Sequence, residues 1–89
     1  MISRTLPIIN ELGLHARAAT KLASLAGRYE CSIKTGVKAP LVDAKSIMSL
    51  LLLAASQGTE LIFEFDGPDE DEACMMITRL LADYFGEEK

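Results

Sequence analysis

The sequence predicts an α+β fold in the order β-α-β-β-α-β-α, with three helices covering one side of an antiparallel sheet. Three observations carry that prediction. Apolar residues alternate in short runs at residues 2–8, 31–37 and 60–65. Helical spacing governs residues 16–28, 46–54 and 70–84. Turn residues stand between these runs, as at Asn10–Gly13, Gly58 and Gly67–Pro68. Short strands that alternate in polarity favour antiparallel pairing, and helices with one apolar stripe need a sheet face to cover. At 89 residues the chain reads as one domain, residues 1–89. A domain of this size buries only about 60–65% of its unfolded surface, so a surface site is expected rather than an enclosed pocket.

In the first strand, Ile2, Leu6 and Ile8 face one way. Pro7 cannot donate to a ladder, so this strand belongs at an edge. The first helix runs over residues 16–28, with Ala18, Leu22, Leu25, Ala26 and Tyr29 on its apolar stripe. "CSIKTGV" (31–37) is a second strand, with Cys31 and Ile33 on one face, and "APLVDA" (39–44) is a short third. A second helix starts at Ser46, carries Ile47, Leu50, Leu51 and Ala54 on one stripe, and ends at Gly58. "ELIFEF" (60–65) is a strand with Leu61, Phe63 and Phe65 on one side. "GPDEDEA" (67–73) opens the third helix with acids on the positive end of its dipole. Ala73, Met76, Ile77, Leu80, Leu81 and Tyr84 form its apolar face, and Phe85–Gly86 close it.

Several classes drop out on composition. No apolar run approaches the roughly 20 residues needed to cross a bilayer, so no membrane insertion is expected. Ser3, Arg4, Thr5 and Pro7 interrupt any secretory leader, which leads us to expect a cytoplasmic protein. Cys31 and Cys74 form no CxxC pair, and one histidine is too few for a zinc site. They read as buried free thiols, and neither a metal nor a cofactor is expected. Basic residues predominate before residue 60, acidic residues after it. The acidic end argues against nucleic acid, while the basic part suits an acidic protein partner or a phosphate.

The chemistry concentrates in "GLHARAAT" (13–20). His15, the only histidine, closes a glycine turn and opens a helix. Helix N-termini carry unpaired N–H groups and about half a positive charge, which together attract anions. Arg17 adds a guanidinium fork matched to phosphate oxygens. An imidazole nitrogen can attack phosphorus and later leave again. The reading requires a ring open to solvent beside free amides. Alone, the pattern more often marks a solvated histidine at a helix start. Farther on, Ser46 is placed to cap the second helix. Ile47 and Met48 follow at once, and on so short a helix at least one is exposed, as a docking patch would be. Lys45 reads as a solvated lysine.

Taken together, "GLHARAA", "KSIMSLLLLAASQG" and "GPDEDEA", in this order and spacing, resemble the HPr family, the histidine-containing phosphocarriers of the bacterial phosphotransferase system. The resemblance spans the first strand to the last helix. It implies an open-faced β-sandwich, with a four-stranded antiparallel sheet covered on one side by three helices. It implies that His15 accepts a phosphoryl group on Nδ1 from enzyme I and passes it to EIIA proteins. Arg17, with the Ala16 and Arg17 amides, would attend the phosphate. Ser46 would be the regulatory site of a kinase (HPr kinase/phosphorylase). Thr20, Ile47, Met48 and Leu51 would fall in the docking region. Such a protein is a phosphoryl carrier and monomer, not an enzyme in the turnover sense. Ala18 departs from the family, which usually has proline there; because the helix end and Arg17 remain, activity is expected to survive. A nitrogen-related branch of the same system is the alternative within the family. Outside it stands an α+β docking module with no phosphorylated state. A histidine phosphatase would want a second histidine as acid, and the chain has none.

Overall fold

Strand β1 spans Ile2–Pro7, and helix α1 spans Ala16–Ala26, in a computed structural model that describes all 89 residues. β2 (Ser32–Gly36), β3 (Val42–Asp43), α2 (Ile47–Leu52), β4 (Glu60–Asp66) and α3 (Glu70–Ala82) follow, and a tight turn at Tyr84–Gly86 leads into the tail. One sheet, in the order β1-β4-β2-β3, joins all four strands antiparallel. Pro7 therefore lies on an edge strand, as its missing donor requires. The sheet is open: β3 closes the far edge with only two residues. No helix is long and apolar enough to cross a membrane.

The alternation in β4 decides which face is buried. Leu61, Phe63 and Phe65 are fully buried, while Ile62 and Glu64 look out from the opposite face. Register places Ile33 opposite Phe65 and Thr35 opposite Phe63, so β2 contributes to the same inner face. The Phe63 and Phe65 rings stack with centroids 6.1 Å apart. Against this face α1 lays Ala18, Ala19, Leu22, Ala23 and Ala26, and α3 lays Ala73, Cys74, Ile77 and Leu81. Small residues on α1 let that helix approach closely. Burying each large side chain contributes about 1.5–3 kcal/mol, and this layer is the main source of stability.

Four details differ from the sequence reading. Helix α2 stops at Leu52 instead of reaching Gly58, because Ala54 takes a left-handed φ of 50°. The turn lets Ala55 bury and its carbonyl accept the Leu14 amide at 2.8 Å. Met76 is only half-buried, and Cys74 takes the core place on that face of α3. Tyr84 lies beyond the helix and is exposed, whereas Phe85 is fully buried. Lys45 is not merely solvated: its Nζ donates to the Tyr29 carbonyl at 2.7 Å, in the turn between α1 and β2. Both cysteines are free and buried, and burial pushes the Cys31 thiol up to about 11.

The acid cluster at the start of α3 does more than meet a dipole. Asp69 makes no cap to its own helix. Its carboxylate instead accepts the Glu30 and Cys31 amides, each at 2.9 Å, and clamps the α1–β2 turn. Gly67 makes that approach possible: a Cβ there would stand 2.5 Å from Cys31 Cα. Glu70 accepts the Gly67 amide at 3.0 Å and pairs with the Met1 ammonium at 3.1 Å. The Glu30 amide, aided by that of Cys31, holds the Asp69 carboxyl below the usual carboxylate range. The Gly67 amide and then the N-terminus do the same for Glu70. In the unfolded chain these carboxyls bind protons at higher pH than in the fold. Their stabilisation is thus complete above the usual carboxylate range and is lost as pH falls through the depressed folded values. The melting temperature should decline below about pH 5. Asp69→Asn should melt lower at neutral pH and show a flatter acid slope, which calorimetry across pH 2–7 would read.

Candidate functional site

His15 is the N-cap residue of α1, with extended backbone angles (φ −81°, ψ −178°). Two things place it there. Gly13 turns the chain at φ 69°, and Leu14 is buried with its amide held by Ala55. The His15 carbonyl accepts the Ala19 amide at 2.8 Å, the first bond of the helix. No protein acceptor takes the amides of Ala16, Arg17 or Ala18, and the His15 side chain does not cap them. These are the orphan donors of a helix N-terminus, aimed outward beside the ring.

The ring is neither fully open nor tucked into the core, since 28% of the side chain is exposed. Its Nε2 is bonded to Glu87 Oε2. Nδ1 has no hydrogen-bond partner in the chain. Glu87 was absent from the sequence-level expectations. So was Asn10, which is fully buried behind the site and donates to the Gly13 carbonyl at 2.8 Å and to Glu87 Oε1 at 2.9 Å. Burial by itself would raise the Glu87 carboxyl. The Asn10 amide, the His15 ring and the Arg17 charge outweigh that and hold it below the usual range. Arg17 is exposed and lines an open cleft of about 430 Å³ together with Lys21, Glu87 and Lys89. Its guanidinium makes no hydrogen bond to the protein, which leaves its donors free for an incoming anion.

The other predicted residues fall in two groups. Thr20 is exposed on α1, but its hydroxyl donates back to the Ala16 carbonyl at 2.8 Å. Ser46 caps α2, its Oγ accepting the Ser49 amide at 3.2 Å. Ile47 and Met48 are exposed, Met48 at 68%, whereas Leu51 is half-buried against the core. Leu52, at 81%, is a further exposed apolar residue on α2 that sequence reasoning does not name. Helical spacing alone could have found Leu52, which is one turn on from Met48.

The fold is an open-faced α+β sandwich that presents an imidazole at a helix N-terminus, with unpaired amides and an exposed arginine beside it. The comparisons name its family. The family described as "PTS HPr component phosphorylation site" matches residues 2–83. Phosphocarrier protein HPr of Cupriavidus necator is 48% identical over 87 residues, covering 98% of each chain. Its counterpart in Pseudomonas aeruginosa is 47% identical over 81 residues, 90% of each. The crystal structure of HPr-C-His from Thermoanaerobacter tengcongensis superposes with a TM-score of 0.95 at 36% identity, over 100% of both chains. The chain belongs to the HPr family of phosphotransferase-system phosphocarriers.

Proposed function

We propose that the whole chain acts as a single cytoplasmic carrier domain, monomeric, which takes a phosphoryl group from enzyme I on His15 and hands it to EIIA proteins. One observation carries this reading: Nδ1 of His15 is unpartnered beside three amides that no protein acceptor uses. A phosphoryl group bound there would be met by those amides, by the positive end of α1 and by the Arg17 fork. Because partners charge and discharge the group, the chain is a phospho-intermediate and not a catalyst. The apolar patch of Ile47, Met48 and Leu52, with Leu51 packed behind it and Thr20 on the neighbouring helix, supports docking on partners beside the ring. The test is incubation with enzyme I and phosphoenolpyruvate, read by intact mass. The expected result is an acid-labile gain of one phosphoryl group, absent in His15→Ala. A wild-type chain that stays uncharged, or a His15→Ala chain that is charged, overturns the reading.

Ser46 fits a regulatory role for a kinase of the HPr kinase/phosphorylase type. A phosphate adds about −1.5 to −2 charge and would sit at the N-terminus of α2, where the fold tolerates it. The cost falls on docking, because the charge appears beside Ile47 and Met48, where an acidic partner surface must approach. Ser46→Asp should keep its folding stability to within about 0.5 kcal/mol, since Asp is also a good N-cap. It should lower the apparent affinity of enzyme I for the carrier by roughly tenfold, equivalent to about 1.4 kcal/mol. Steady-state kinetics over carrier concentration, beside a thermal melt, separates the two effects.

A further inference from the structure

We propose that Glu87 is a positioning residue for phosphoryl transfer: its carboxylate holds the Nε2 proton of His15, so that Nδ1 is the nitrogen presented to the incoming group. The proposal rests on the reading of His15 as the carrier site. Its basis is a constructed strap. Tyr84, Phe85 and Gly86 take consecutive left-handed φ values of 57°, 54° and 77°. Two non-glycine residues in that region are strained, and such strain persists only where the surroundings over-determine it. Here they do. The Phe85 ring is fully buried, Lys21 Nζ donates to the Phe85 carbonyl at 2.7 Å, and the Glu11 amide donates to the Lys89 carbonyl at 2.8 Å. The strap thereby turns Glu87 back over a ring 72 positions earlier in the chain.

Both oxygens of the carboxylate are engaged, Oε2 by His15 Nε2 and Oε1 by Asn10 Nδ2. Asn10 is held in turn, because its amide nitrogen also donates to the Gly13 carbonyl. Turning that amide over would set its oxygen against two acceptors, so the donor assignment follows from the network. A carboxylate facing one ring nitrogen selects the tautomer that donates to it and leaves the other nitrogen with its lone pair. Arg17, Lys21 and Lys89 line the same cleft as Glu87, against Glu11 and Glu88, and Arg17 favours the ionised carboxylate.

The chemistry then balances without moving a proton. The Nδ1 lone pair forms the new N–P bond while the bond from phosphorus to the donor breaks, its electron pair leaving with the donor group. The His15 ring gains positive charge shared with Nε2–H, and the carboxylate meets that charge. In the onward step the Nδ1–P bond breaks and its pair returns to His15, which leaves as neutral imidazole because Nε2 has kept its proton. Glu87 serves uptake and release alike, on the ring edge away from the phosphoryl oxygens.

Two measurements on the full chain test this: the ¹⁵N shifts of the His15 ring, which report the tautomer, and the initial rate of charging by enzyme I and phosphoenolpyruvate. Wild type should show Nε2–H alone in the neutral ring. Glu87→Ala should show mixed tautomers and a roughly tenfold lower kcat, the order lost when a carboxylate behind a working imidazole is removed. KM for the carrier should be unchanged, and Glu87→Asp should recover part of both signals. An unaltered tautomer, or a charging rate within twofold of wild type, overturns the proposal. If wild type takes up no phosphoryl group, the carrier reading falls and this inference with it. If wild type is charged and Glu87→Ala matches it, this inference falls alone.

Discussion

Gly13→Ala should cost the fold about 3 kcal/mol or more and slow phosphoryl uptake in the same variant. At φ 69° an L-residue pays about 1–2 kcal/mol for its backbone alone. The added Cβ would then stand 2.6 Å from the Ala55 carbonyl oxygen and 2.9 Å from Ser56 Cα. Both are backbone atoms, so no side chain can swing aside. The segment is also pinned, since Ala55 accepts the Leu14 amide and Ser56 accepts the Thr59 amide at 3.0 Å. Relief must come from moving the Gly13–Leu14 link, which carries His15 at its end and the carbonyl that Asn10 holds. For a domain of this size about 3 kcal/mol lowers the melting temperature by roughly 15 °C. Thermal melts and enzyme I charging rates read the two effects. A melting point within 2 °C of wild type would show that the turn has slack the geometry does not display.

Local pattern made most of the fold legible, and distance in the chain decides what was not. The alternation of Leu61, Phe63 and Phe65 predicted their burial because a strand's period is set by its own backbone. Pro7 named its edge for the same kind of reason. His15, Arg17 and Ser46 were legible as residues at helix starts, where unpaired amides follow from the helix itself. The end of α2 was not. Four leucines favour continuing the helix, but Ala55 is needed by Leu14 and is buried, and a tertiary contact outweighs propensity. Asp69 reads in the sequence as one of several acids on the dipole of α3 and is instead a clamp on Glu30 and Cys31, 38 or 39 positions away. Glu87 sat in an unpatterned tail, and nothing within a few residues of it points to an imidazole near the other end of the chain.

Phe85→Ala tests how that distant contact is held. The ring is fully buried, and a buried Phe→Ala change costs about 3–5 kcal/mol in lost transfer energy and cavity. Among core residues Phe85 is unusual because its own backbone is strained at φ 54° and its carbonyl is the acceptor for Lys21. Removing the ring removes the main term opposing that strain, so the strap should release before the sheet and helices unfold. The variant should melt roughly 12–20 °C lower. At 25 °C, where it remains folded, its His15 ring should show the mixed tautomers expected of Glu87→Ala. Phe85→Leu, which refills most of the volume, should restore both the melting point and the single tautomer in large part. If Phe85→Ala loses the stability but keeps His15 as Nε2–H alone, then Lys21, Asn10 and the Glu11–Lys89 bond suffice to seat Glu87, and the ring belongs to the core rather than to the site.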